Sequence, residues 1–285
     1  MTEQWVRSME TVIEFIETHL DSKLDLEQIA AATHYSKYHL HRIFATTVGM
    51  TIHDYAVRRQ LTEAARLLVF SAKPVIEIGL LCGYESQQAF TVAFKAMYKM
   101  PPAQYRARQQ FYPLQLPVVL HHNANTAALA RATVLPAEQA DVPAWMELVG
   151  LVIDGYPCLQ EQEYLQQLHS CIERRQALVL KTETMLIGTL AFSTKKGSVE
   201  FMGVHPQYRN QGVEQILLDT LREDYLPGRE ISITTYRERD RADTGYRSAL
   251  LDLGFTEREL LMEFGYPTQR FVLSPEKQEE PIYES

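Results

Sequence analysis

The sequence predicts a multidomain chain: an all-α first part, then an α+β part built on a mixed central sheet. Three observations predict it. The chain of 285 residues has room for two cores of ordinary size. Its first 110 residues match themselves at an offset of fifty, which means two copies of one supersecondary unit. From Leu129 onward, apolar runs of strand length alternate with amphipathic helical stretches.

Each copy of the repeat reads as two short helices around a turn. Leu40, Phe44, Met50 and Tyr55 fall on Phe90, Phe94, Met100 and Tyr105. In the first copy Leu26, Ile29, Ala30 and Thr33 form one stripe, with Asp25 placed to cap and Gln28 three residues on. His34-Tyr35 makes the turn, and Ser36 caps a helix whose inward face is Leu40, Ile43, Phe44 and Thr47. In the second copy Pro74 opens a helix with Val75, Ile78, Gly79 and Cys82 on one face, and Gly83 closes it. Ser86 caps the next, with Phe90, Ala93, Phe94 and Met97 inward.

Two helices joined by a tight turn make a helix-turn-helix, whose second helix can enter the major groove of DNA. The outward faces suit that task. The first presents Lys37, Tyr38, His41 and Arg42; the second presents Gln87, Gln88, Thr91 and Lys95, with Val92 among them. Arginine pairs with guanine, glutamine with adenine, and valine can touch a thymine methyl, whereas an ordinary solvated face would favour Glu and Lys. Between the copies Thr51 caps a long helix to about Val69, with Asp54 at the capping-box position. Nineteen residues at ~1.5 Å give roughly 28 Å, close to the ~34 Å between successive major-groove faces. One rigid chain can thus set both reading helices on one side of a duplex without a dimer. Arg58, Arg59, Arg66, Lys73, Lys99, Arg106 and Arg108 are available for phosphates.

The stretches "DLEQIAAATHYSKYHLHRIFATTVGMT" and "VIEIGLLCGYESQQAFTVAFKAMYKMPPAQYR" resemble the AraC/XylS family of bacterial transcription regulators over roughly residues 8 to 108. The resemblance implies base contacts from Tyr38, His41 and Arg42, and from Gln87, Gln88 and an arginine. Here that arginine is Val92, so readout at the second site should be weaker or rest more on DNA shape. Gly79 replaces the usual alanine of the second scaffold helix, at about 1 kcal/mol of helix propensity. The resemblance also implies double-stranded promoter DNA as a partner and, by analogy with the family's small activators, contact with RNA polymerase.

Composition restricts the remaining classes. The total charge of −8 divides into +1 for residues 1 to 110 and −9 for the rest, which argues against loose polyanion binding but leaves room for a local basic face. No apolar run approaches the roughly 20 residues of a membrane span. The opening Met1-Thr2-Glu3-Gln4-Trp5 lacks the basic and apolar regions of a secretory signal, so a cytoplasmic protein is expected. Cys82, Cys158 and Cys171 fit neither a disulfide framework nor a zinc pattern and read as small buried hydrophobes. Residues 111–128, with Pro113, Pro117, His121-His122, Asn123 and Asn125, read as a linker. The adjacent histidines point apart on any regular element, so no metal site is expected.

The last part, 129–273, begins with a strand in "LARATVLP" and two helices, "VPAWMELVGLVI" and "QEYLQQLHSCIERR". Strands follow in "ALVLKT", "MLIGTLAFS" and "SVEFMGVHP", then a helix from Gly212 to about Asp224, the strand "EISITTYR" and the helix "TGYRSALLDLGF". A β-rich "TERELLMEFGYPTQRFVL" closes the domain, and 274–285 reads as a disordered acidic tail.

The segment "VHPQYRNQG" joining strand to helix, and "LLDLGF" ending the next helix, resemble the GNAT N-acetyltransferase fold. Val204, Pro206, Tyr208, Arg209, Gly212, Ile216 and Leu217 stand where its central motif expects them. The resemblance implies that Arg209, Asn210, Gln211, Gly212 and Val213 offer backbone N–H groups and a helix N-terminus to the pyrophosphate of acetyl-CoA or another acyl-CoA. Two departures stand against it. Glu214 occupies the position of a small residue, where a carboxylate repels pyrophosphate yet suits the first helical turn. Leu250 occupies the position of a tyrosine that protonates the leaving thiolate, with Tyr246 one turn earlier a poor substitute. Glu200 could act as a base, but a solvated or paired strand glutamate is the plainer reading. Asp154, Tyr156 and Tyr164 stand in the region that shapes the acceptor site.

No catalytic set is therefore expected. The expected function is sequence-specific DNA binding, with a GNAT-like domain that senses a small-molecule effector or docks a partner. The alternative is an acetyl-CoA-dependent N-acetyltransferase of a small amine carrying a DNA-binding module.

Overall fold

The structure is a computed structural model that describes residues 3–22, 26–33, 35–121, 129, 132–152, 161–182, 185–209, 211–263 and 266–275. Asp25, His34, His122, Asn123, Asn125, Asp154, Tyr156, Cys158, Asn210, the side chain of Thr33 and all of the tail but Ser274 and Pro275 lie outside that description.

Among the described residues the helices of the first part are α1 Glu3–Thr18, α2 Leu26–Thr33, α3 Lys37–Val48, α4 Ile52–Phe70, α5 Val75–Leu81, α6 Gln87–Tyr98 and α7 Pro102–Arg108. Their starts follow the sequence signals. The Ser36 and Ser86 hydroxyls accept from the N–H of His39 and Ala89, and Thr51 accepts from Asp54 N–H at 3.0 Å. Gly83 follows the end of α5 at φ +81°, with Tyr84 N–H reaching back to Gly79 O at 3.0 Å. The first helix went unread in the sequence, although Val6, Met9, Val12, Ile13 and Ile16 recur at helical spacing and are all buried.

The fifty-residue repeat becomes two cores. One gathers Ile29, Leu40, Phe44, Met50 and Tyr55 with the buried face of α1; the other gathers Ile78, Phe90, Phe94, Met100 and Tyr105. Helix α4 serves both, giving Ile52, Tyr55 and Ala56 to the first and Leu61, Ala64, Ala65 and Leu68 to the second. Burying each Leu, Ile or Phe contributes roughly 1.5–3 kcal/mol, so each unit has its own driving force for folding.

Past α7 the chain doubles back along α4 as an extended strap over residues 110–121. Tyr98 OH donates to Tyr112 O at 2.8 Å, Thr62 Oγ1 accepts from Leu114 and Gln115 N–H, Arg59 donates to Gln115 O, and Tyr55 OH accepts from Val118 N–H. Positions 62, 59 and 55 descend one face of α4, so the strap's backbone groups find partners turn by turn. Its side chains join both cores: Tyr112 and Leu114 the second, Val118 and Leu120 the first.

The rest is a seven-stranded mixed sheet with helices on both faces, as the sequence predicts. Its elements are β1 Thr133–Pro136, α8 Val142–Val152, α9 Glu161–Glu173, β2 Ala177–Lys181, β3 Leu186–Ser193, β4 Ser198–Val204, α10 Val213–Thr220, β5 Ile231–Tyr236, α11 Tyr246–Asp252, β6 Thr256–Glu263 and β7 Tyr266–Leu273. The strand order is β1-β2-β3-β4-β5-β7-β6. Every neighbouring pair is antiparallel except β4 and β5, which are parallel and register at a single pair, Ser198 with Ser232. Beyond that point the two strands separate towards their carboxyl ends, the place where open sheets offer a cleft. Alternate residues serve opposite faces: Leu178, Leu180, Leu190 and Phe192 pack under α10, while Ala177, Val179 and Ala191 pack with Trp145 and Leu148 of α8.

Candidate nucleic-acid interface and pyrophosphate loop

The reading faces stand clear of the rest of the chain. Lys37, Tyr38, His41 and Arg42 are exposed on α3, with Tyr38 80% exposed. Gln87, Gln88 and Lys95 are exposed on α6, Thr91 is half-buried, and Val92 is 61% exposed, a large apolar group left in water. Lys37 pairs with Glu27, and both side chains remain at least half exposed, so that bridge is weak. Seven of the eight belong to the amino-terminal two-thirds of their helices, the part of a recognition helix that meets base edges, while Lys95 lies in the last turn of α6.

The basic residues expected at phosphates are largely engaged within the protein, which corrects the sequence reading. Arg58 is buried and donates to Ala242 O in the loop after β5. Arg59 is buried, bidentate to Glu17 and hydrogen-bonded to Gln115 O. Lys99 donates to Asp240 at 2.6 Å, and Arg106 donates to Leu68 O and Lys73 O. Arg66 and Lys73 hold exposed bridges to Glu63 and Glu77 that phosphates could replace, and Arg108 is exposed. The physical reason is that α4 is sandwiched between strap, α1 and the sheet, so its cations satisfy buried carbonyls and carboxylates instead of DNA.

The loop after β4 is equally engaged. His205 Nδ1 accepts from Gln207 N–H at 3.3 Å, and Pro206–Tyr208 form one 3-10 turn. The Gln207 amide brackets the backbone of His121 in the strap, accepting from N–H at 2.7 Å and donating to C=O at 3.0 Å. Arg209 turns away from the loop onto Gly49, the left-handed C-cap of α3: a β-carbon there would lie 2.5 Å from Arg209 Cδ and 2.6 Å from Nη1. Gln211 donates to Gln207 O at 2.8 Å. Gly212, at φ +78°, makes the turn that starts α10, and Val213 packs in the core.

Glu214 then lies in the first turn of α10. Burial pushes its carboxyl above the usual range, opposed by its own backbone N–H and by Arg209. The carboxylate takes its own N–H, a donor at the helix start, and the loop's one cation points at a helix end instead. The residues present fit an acyl-CoA pyrophosphate poorly. His205 is pushed down to about 3 by burial, with His121 and Arg209 adding to the effect.

Among the described residues, the other candidates for acetyl-transfer chemistry are not brought together. Leu250 is fully buried in the core. Glu200 is exposed and pairs with Ser198 and Lys196. Tyr164 OH accepts from Trp145 Nε1 at 2.8 Å, and burial pushes its phenol up. Tyr246 starts α11, its N–H held by Asp243. Cys82 is buried, its thiol pushed up to about 12, and Cys171 is half-buried.

A family profile described as "Helix-turn-helix domain" fits residues 29–108. MarA, the multiple antibiotic resistance protein of Salmonella typhimurium, is 35% identical over 99 residues, covering 35% of this chain and 78% of MarA. The chain belongs to the AraC family. Another relative, the transcriptional regulator YbfP of Bacillus subtilis, described as uncharacterized, is 41% identical over 100 residues, which is 35% of this chain. The chain matches about a third of YbfP's length, 34%. An acetyltransferase of the GNAT family from Bacillus cereus is similar in structure, with 16% identity and a TM-score of 0.41, covering 51% of this chain and 99% of that one. At that level the likeness carries no chemistry across. No helix among the described residues is long and apolar enough to cross a membrane.

Proposed function

We propose that the protein is a sequence-specific transcription regulator that binds double-stranded promoter DNA as an AraC-family double helix-turn-helix. Lys37, Tyr38, His41 and Arg42 read one stretch of major groove, and Gln87, Gln88, Thr91 and Lys95 read the next. The observation that carries this reading is the pair of exposed polar faces at the same place in each repeat, joined by a 19-residue helix. Residues 1–110 form the DNA-binding domain, 111–128 the link and 129–273 a GNAT-like domain that works without turnover, sensing a small effector or docking a partner such as RNA polymerase.

Three features weigh against the enzymatic rival: a carboxylate in the pyrophosphate loop, a leucine built into the core where the thiolate acid would stand, and a surface-paired Glu200. Gel-shift titration against a selected DNA pool tests the DNA reading. Arg42→Ala should cost about 1–3 kcal/mol, a factor of roughly 10 to 100 in Kd. Binding indifferent to Arg42, or no selected sequence at all, would remove it. Turnover of acetyl-CoA with a small amine would restore the rival.

A further inference from the structure

The sheet domain holds both reading helices at equivalent points. Gly49 and Lys99 are the same position of the fifty-residue repeat, and each is the left-handed C-cap of its reading helix, at φ 81° and φ 59°. On the first, the loop after β4 lays Arg209 against Gly49, at the negative end of the α3 dipole. On the second, the loop after β5 presents Asp240 to Lys99 at 2.6 Å, while Tyr266 OH donates to the other carboxylate oxygen at 3.0 Å. Tyr236, Ala242 and Tyr266 continue into the second unit's core.

The two units otherwise have separate cores divided along α4. They share α4 and the strap, and in the middle of α4 Gln60 reaches Leu20 O and Ser22 O while Arg59 holds Glu17. The sheet takes hold at the carboxyl ends of α3 and α6, through the loops that follow the parallel pair β4 and β5. Both loops leave neighbouring strands of one sheet, so their separation follows from the splay of β4 and β5.

We propose that the sheet domain is a spacing clamp: it fixes the distance and phase of the two reading helices and so selects operators with one half-site spacing. The inference rests on the DNA-reading proposal above. The grips lie at the helix carboxyl ends, so they leave the reading faces open. Their polarity is opposite, the sheet supplying the cation to the first unit and the anion to the second, so neither loop can take the other's place.

The experiment uses the full chain and a DNA sequence selected by it, re-made with base pairs inserted or removed between the half-sites. One base pair moves a half-site by ~3.4 Å and turns it by about 35°. Wild type should lose about tenfold or more in affinity for one inserted pair, the size of a base mismatch. Arg209→Gln with Asp240→Asn removes both charges and leaves a polar amide at each position, so its melting should still show a folded chain. That variant should lose less than about threefold for the same insertion. Spin labels on cysteines placed at Thr46 and Gln104, in a background with Cys82, Cys158 and Cys171 replaced by alanine, should give one narrow distance in wild type and a broad one in the variant. A spacing profile and distance distribution identical to wild type overturn the clamp and leave the DNA reading standing. A wild type that selects no DNA overturns both.

Discussion

The two reading units share a fold and a repeat, yet the molecule treats their equivalent ends in opposite ways. At position 49 a glycine leaves room for an arginine arriving from the sheet; at position 99 a lysine reaches out to an aspartate in the sheet. The first unit completes its core with α1 and the strap residues Val118 and Leu120, all from the first 120 residues of the chain. The second completes its core with Tyr236, Ala242 and Tyr266, more than a hundred residues away. Duplicated sequence therefore need not mean duplicated stability. The first unit is closed by its own neighbourhood, the second by the other domain.

Removing the matching phenylalanines should break that comparison most visibly. Phe44→Ala and Phe94→Ala each empty a fully buried ring, at a cost of about 3–5 kcal/mol. The chain's two tryptophans report separately: Trp5 lies on α1 beside the first unit and Trp145 in the sheet domain. In urea titrations Phe94→Ala should shift the Trp145 transition as well as the helical signal, while Phe44→Ala should shift Trp5 ahead of Trp145. Coincident shifts in both variants would mean that the two units are coupled alike.

Acid should loosen the first unit's grip before the second's. His205, beside the His121 ring and under the loop that meets α3, is held down to about 3 in the folded chain against 6.5 unfolded. Its folded pKa is depressed, so the unfolded chain binds the proton first and stability falls as pH drops below 6.5. The slope is about 1.4 kcal/mol per pH unit between those values, an upper bound for a ring that can relax. His205→Gln should flatten the melting temperature between pH 6.5 and 5, measured calorimetrically. An unchanged pH profile would show that His205 is not the group responsible.

The reading faces differ in charge as well as in anchorage. Arg42 on α3 has no counterpart on α6, where Val92 takes the arginine's place. Arg42→Ala should weaken specific binding by roughly 10- to 100-fold, Gln88→Ala by about tenfold or less, and Val92→Arg should gain about tenfold on sites with a guanine under it. Gel shifts over a salt series separate base reading from phosphate binding. A Val92→Arg gain equal on all sequences would place residue 92 on the backbone instead of in the groove.

Much of this was legible in the chain. The offset of fifty marked buried positions in both units because a core residue must recur wherever its core recurs, and the caps at Ser36, Thr51 and Ser86 marked helix starts because an unpaired N–H needs a nearby oxygen. The inner strands β2, β3 and β5 were visible as apolar runs since both of their faces are covered. The strap was not legible: Pro113 and Pro117 look like a linker, and its hydrogen bonds go to Thr62, Arg59 and Tyr55, which only the fold brings near. The basic residues of α4 misled for the same reason, since sequence shows a charge but not the carbonyl waiting for it. In the loop, Glu214 was readable as an intruder, whereas the direction of Arg209 depended on a helix end 160 residues earlier in the chain.

The smallest effect isolates the two C-caps themselves. Gly49→Ala forces a β-carbon into a left-handed position, about 1–2 kcal/mol, and into the space of Arg209, which must swing away. Lys99→Asn keeps a residue that tolerates the left-handed region and removes the partly buried ion pair with Asp240 together with the Nζ bond to Ala96 O and the contact over the Tyr266 ring, so it should cost about 1 kcal/mol. If the caps matter only as local helix ends, the two changes should act independently, and the double variant should cost the sum of the singles. If both are ends of one clamp, the second change meets a grip already open and costs less than it does alone. A double-variant cycle by urea denaturation measures that difference, and strict additivity would return the two caps to ordinary helix chemistry.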